Sequence, residues 1–150
     1  MSRAFVKEPD GDQVPDDQPE IPISPHPNYV THTGLQQLQD KHANLLQKKE
    51  MLEIDKENIS NKMSLAQIER ELRYLKARIN SAILVNIDAI DKNIIAFGAS
   101  VQVIDDKNKT YKVTIVGEDE ADFEENKISW ISPLAKVLIG KNKGDKAIWR

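Results

Sequence analysis

Between Leu35 and Ala82 the chain has no glycine and no proline, and its apolar residues recur at alternating steps of three and four. The cleaner ladder is Leu65, Ile68, Leu72, Leu75, Ile79, Ala82. An earlier one reads Leu35, Leu38, His42, Leu45, Lys49, Leu52, with polar breaks at His42 and Lys49. A 3-4 repeat puts one narrow stripe on one side of a helix, the seam of a coiled coil rather than a broad core face. A polar patch from Asp55 to Lys62 separates the ladders. The pattern therefore predicts an antiparallel helical hairpin, with arms of about 20 residues and roughly 30 Å each. Thr31 or Thr33 suits the N-cap of the first arm. Ser64-Leu65-Ala66-Gln67 reads as a capping box opening the second. Asn58 or Asn61 could supply a left-handed residue to a turn lying between Glu53 and Met63.

After Ala82 the period changes to alternation. Ile94 to Ile104 and Thr110 to Val116 read as strands joined by an Asp105–Lys109 hairpin loop, with a third strand at Ile128 to Ile131 and a last one at Lys146 to Trp149. Ser132 to Gly140 carries the marks of a short helix: serine cap, proline at the first helical position, glycine past the end. Trp130 and Trp149 alternate with polar neighbours and are expected in the sheet core. The fold class is α+β: an N-terminal antiparallel α-helical coiled-coil hairpin, then a small antiparallel sheet with one helix. The divisions are a tail at 1–28, the hairpin at 29–85 and a C-terminal domain at 86–150.

Composition narrows the chemistry. With no cysteine in 150 residues, a disulfide framework, a thiolate metal site and a cysteine nucleophile are excluded. His26, His32 and His42 lack ligand-like spacing, and no nucleophile–base pair or phosphate loop is visible, so neither an enzyme nor a bound cofactor is expected. No apolar run approaches a membrane span and the first residues are too short for a signal peptide, so a cytoplasmic protein is expected. The net charge of −3 gives no general pull toward nucleic acid. Its distribution is uneven: residues 1–27 hold six acids and two bases, residues 35–82 seven acids and nine bases. Six of the seven prolines fall between Pro9 and Pro27. Residues 8–27 are thus expected to be disordered or extended, the alternative being an ordered arm lying across a domain. Arg3-Ala4-Phe5-Val6 is the one sticky part of the tail, a candidate to pair with a sheet edge.

The alternating half also carries a resemblance. Phe97-Gly98-Ala99-Ser100-Val101, Ile115 through Asp122, Ile128-Ser129, Ser132-Pro133-Leu134-Ala135, Leu138 through Lys141 and Gly144-Asp145 occur in the order seen in the C-terminal domain of the GreA/GreB transcription elongation factors. Thr31, Gly34, Leu35 and Leu38 are similar to that family's N-terminal helix start. Residues 1–28 fall outside the likeness. The resemblance implies an FKBP-like C-terminal domain that docks at the rim of the secondary channel of bacterial RNA polymerase. It also implies a hairpin that enters the channel, where tip acids of the cleaving members help hold a catalytic Mg²⁺ against backtracked RNA. Contact with nucleic acid would then be indirect. On this likeness Asp119, Glu120, Asp122, Ser132, Pro133 and Lys136 are the expected polymerase-binding residues.

Departures from the family pattern matter as much. Counting back from Leu72-Arg73-Tyr74-Leu75, the family's tip motif falls on Glu50 to Asn58, and its two working acids fall on Met51 and Ile54, neither able to ligate a metal. The hairpin also reads shorter than is usual in the family, by about 5–8 Å per arm. The family pattern continues past Arg150, so the sheet is expected to be smaller here or completed by another segment such as Phe5-Val6. Glu53, Asp55 and Glu57 are the acids left at the tip, either sharing a Mg²⁺ with the polymerase active site or forming the solvated end of a charged hairpin. The expected function is a polymerase-binding elongation regulator with weak or no stimulation of cleavage. The alternatives are a regulator similar to Rnk, a cleaving factor with relocated tip acids, and a plain coiled-coil interaction module.

Overall fold

The seam forms where the ladders place it. The computed structural model, which describes residues 18–149, has α1 at His32–Glu53 and α2 at Ile59–Ser81. Leu65, Ile68, Leu72 and Leu75 are buried, and Leu45, Lys49 and Leu52 of the first ladder are half-buried. Each fully buried aliphatic side chain contributes about 1.5–3 kcal/mol over its exposed state. The polar break at Lys49 is accommodated because its Nζ reaches Glu69 across the hairpin at 3.6 Å and Glu53 at 3.9 Å. A lysine stem can lie along an apolar stripe while its charge stays wet.

The turn is built differently from its sequence signals. The second helix starts at Ile59, five residues before the Ser64 capping box, which is helix interior. Asn58 is the cap: its Oδ1 accepts from the Ser60 N–H at 2.9 Å and the Asn61 N–H at 3.4 Å. Asn61 donates to the Asp55 carbonyl at 3.0 Å. Among the described residues the non-glycine positive-φ positions are Asn108 and Asn126, so neither tip asparagine is left-handed. At the other end Thr31, not Thr33, caps α1, its Oγ1 accepting from the Gly34 N–H at 2.9 Å.

The chain divides into two compact units. One joins Lys41–Ala77 to the arm ending at Ser24; the other joins Pro25–Asp40 to the chain from Arg78 onward. In the second, β1 (Tyr29–Val30) pairs in parallel with β2 (Ile83–Leu84). A three-stranded sheet has the order β3 (Ser100–Ile104), β4 (Thr110–Val116), β5 (Lys127–Ser129). Alternation predicts an antiparallel sheet. Here β3–β4 is antiparallel, but β5 runs parallel to β4, Ile115 opposite Ile128. The β3–β4 turn is held by the Asp105 carboxylate, which accepts from the Lys107 and Lys109 N–H groups, both at 2.9 Å. The Lys109 bond leads the effects that hold that carboxyl below its usual range.

Val113 and Ile115 of β4 pack with Ala135 and Leu138 of α3 (Pro133–Leu138) to form the core, flanked by Val101, Val103, Ile128 and Trp130. Other strand ends also differ from expectation. Ile94 makes only an isolated bridge to Asn142, because Gly98 at φ +87° turns the chain before β3 begins. Residues 146–149 form no strand, and Trp149 is 59% exposed rather than in the core. Residues 18–24 belong to no helix or strand; residues 1–17, with most of the proline-rich tail and the Arg3–Val6 segment, lie outside the described residues. Among the described residues no helix is long and apolar enough to cross a membrane.

Candidate docking site

Arg78 organises the acidic loop. It lies three residues after Leu75 in the last turn of α2, where a cation suits the helix dipole, and it is 1% exposed. Its Nε donates to Asp119 Oδ2 at 2.7 Å, its Nη2 to Asn28 Oδ1 at 2.8 Å, and Glu118 Oε2 stands 3.6 Å away. Asn28 uses both ends of its amide: its Nδ2 donates to the Arg78 carbonyl at 2.7 Å and to Ser81 Oγ at 3.2 Å. The same residue's carbonyl accepts from Ile83, tying the side-chain network to the β1–β2 pair.

A second clamp lies beside it. The Thr31 hydroxyl that caps α1 also donates to Glu120 Oε1. Glu120 Oε2 is 3.8 Å from Lys127 Nζ, which is 3.1 Å from Glu125. The Glu125 contact is the leading reason that Lys127 holds its proton above the usual lysine range. Two glycines permit this closeness. A Cβ on Gly34 would meet Glu120 Oε1 at 2.6 Å, and one on Gly117 would meet the Tyr29 carbonyl oxygen at 2.4 Å. The segment Gly117–Glu120 is thus anchored on three sides: by a buried guanidinium, by a helix cap and by direct backbone approach.

The expected site residues therefore separate into groups. The side chains of Asp119 and Glu120 turn inward, 16% and 5% exposed, and act as anchors. Asp122 faces outward and caps a 3-10 turn at Phe123–Glu125, accepting from the Glu124 N–H at 3.0 Å. Ser132 caps α3 through the Ala135 N–H at 3.3 Å, Pro133 opens that helix, and Pro133 and Lys136 are exposed. Sequence reasoning missed Phe123, which is 95% exposed between Asp122 and Glu124. It also missed Arg78, although its place next to the seam, three residues past Leu75, was a usable signal.

At the hairpin tip Glu53 pairs with Lys49 at 3.9 Å and Glu57 with Lys62 at 3.9 Å, while Asp55 lies in the exposed turn. Around them Met51, Ile54, Ile59 and Met63 are 72%, 86%, 60% and 58% exposed. Among the described residues no three His, Asp or Glu side chains converge to hold a metal ion, and the tip acids do not form such a set.

Similarity to known proteins decides the family. A GreB transcription elongation factor of Neisseria meningitidis serogroup B is 34% identical over 138 residues, covering 81% of this chain and 83% of its own length. The chain belongs to the GreA/GreB family. The family profile described as "Transcription elongation factor, GreA/GreB, C-term" matches residues 90–150. A GreA of Thermodesulfovibrio yellowstonii is 41% identical over 80 residues, 53% of this chain and 51% of that protein. The profile match contains the acidic loop, Phe123 and α3, so the outward face of this GreA/GreB domain lies within the family-defining part of the chain.

Proposed function

We propose that this protein is a transcription elongation regulator that binds RNA polymerase through its C-terminal unit. In this reading the hairpin enters the secondary channel without strongly stimulating RNA cleavage. The observation that carries the docking half is the clamped acidic loop. Arg78, Thr31 and Gly117 fix its backbone, so Asp122, Phe123 and Glu124 stand out from a rigid support. An exposed aromatic ring among carboxylates suits a basic surface with an apolar recess. Such an anchor loses little conformational entropy when it binds. Rim carboxylates would chiefly speed association, and their effect should fade with salt.

The tip carries the second half. Mg²⁺ needs carboxylate oxygens at about 2.1 Å in near-octahedral geometry, usually with one or two protein acids beside the substrate phosphates. At the aligned positions Met51 and Ile54 present a thioether and an alkyl group instead. This chain would then occupy the channel and not supply the reaction, acting as a binding protein rather than as an enzyme.

The test is a stalled, backtracked polymerase complex incubated with excess protein. We expect co-purification with polymerase and RNA cleavage close to the factor-free rate. Strong cleavage lost in Asp55→Ala or Glu57→Ala would overturn the second half and name the metal ligands. Absence of any complex with polymerase would overturn the first.

A further inference from the structure

The arm ahead of the hairpin, residues 18–24, has no role in the reading above, yet its Glu20 is held on α2. Its Glu20 carboxylate accepts from Arg73 twice, from Nε at 2.9 Å and from Nη2 at 2.6 Å. This two-point fork fixes direction as well as distance. Pro19 and Pro22 flank it, each locking φ and removing an N–H, which disfavours a helix interior or an inner strand here. Ile21 and Ser24, three residues apart, are half-buried, while Pro22 and Ile23 between them are exposed. The half-buried pair marks one side of the arm as turned against the protein. Gln18 and Ser24 each make a further interaction.

We infer that residues 18–24 are a releasable strap that limits how far the hairpin can enter a narrow channel. The inference rests on the channel reading above. Arg73 stands 14 residues from the start of α2 at Ile59, about 21 Å along the helix at 1.5 Å per residue. Entry deeper than that needs the strap to leave. Arg73 and Glu20 are 52% and 63% exposed, so the latch is weak and can open on binding.

The test uses the full chain, which has no native cysteine to interfere. A spin label on Ile23→Cys should broaden the amides around Arg73 in the free protein, and Glu20→Gln should weaken that broadening. For gating, Glu20→Cys and Arg73→Cys are joined by a short cleavable bis-maleimide. We expect the joined protein to bind RNA polymerase at least about fivefold more weakly than the same protein after cleavage. Glu20→Gln should bind about two- to fivefold more tightly than the parent, as suits a weak exposed pair. No broadening in the free protein would overturn the strap itself. Equal binding of joined and cleaved forms would overturn the gate and leave the docking reading standing. Failure of every form to bind would remove the docking reading and the gate with it.

Discussion

Replacing Arg78 by methionine should unseat the acidic loop while leaving the hairpin seam intact. The substitution keeps much of the volume and removes the charge. It leaves the carboxylates of Asp119 and Glu118, only 16% and 18% exposed, without their cation, and the Asn28 oxygen without its donor. Breaking a buried pair from one side costs about 3–5 kcal/mol, and partial access of water to the two acids lowers this to about 2–4 kcal/mol. At an m-value of about 2 kcal/mol per molar urea, the midpoint of the C-terminal unit should fall by about 1–2 M. Trp130 and Trp149 are the chain's two tryptophans, so fluorescence follows this unit, while circular dichroism at 222 nm is dominated by the helices. Removing the partner charges as well, in Arg78→Met with Glu118→Gln and Asp119→Leu, should recover more than half of the loss, because no carboxylate is then left buried and uncompensated. An Arg78→Met midpoint within about 0.3 M of the parent would refute this account of the clamp.

Three further outcomes are expected. Gly117→Ala places its methyl on the Tyr29 carbonyl at a backbone φ of −70°, which alanine adopts freely, so the clash alone should cost about 1–3 kcal/mol; unchanged urea stability would contradict it. Phe123→Ser should leave stability within about 0.5 kcal/mol yet weaken polymerase binding about tenfold, and Asp122→Lys should also weaken it. Equal affinity of either variant and the parent would remove this face from the contact. The Glu20 carboxyl, held below its usual value of 4.5 first of all by Arg73, should keep the strap contact above that value and lose it as pH falls through the lower folded-state value. A carbon-13 titration of Glu20 at or above 4.5 would exclude the latch.

What was legible in the chain was whatever has a local period. The 3-4 ladders placed both helices, because each seam residue needs only its neighbours three and four away to declare a face. Ser132, Pro133 and Gly140 marked α3 for the same reason. The parallel course of β5 was not legible, since alternation says that a strand is half-buried and nothing about the direction of its partner. The Ser64 capping box failed because Asn58 offers a cap oxygen earlier and the helix starts wherever its first N–H groups are satisfied. Arg78 and Phe123 failed through two opposite defaults. A charged helix residue is read as solvated and an aromatic as buried, and here 1% and 95% exposure invert both. Asp119 and Glu120 stood out as surface acids, but their carboxylates are consumed by contacts with residues 41 and 89 positions away in sequence.

Those separations bear on how the protein is made. The C-terminal unit is discontinuous: it needs Pro25–Asp40 as well as the chain from Arg78 onward. On a ribosome adding about 5–20 residues per second, Thr31 waits roughly 5–20 s for Glu120 to be synthesised. The hairpin between them has only local contacts to make and can close within far less time than that wait. Folding order is thus set by connectivity. The finger forms first, and Tyr29-Val30-Thr31 is held in reserve until the acidic loop emerges to cover it.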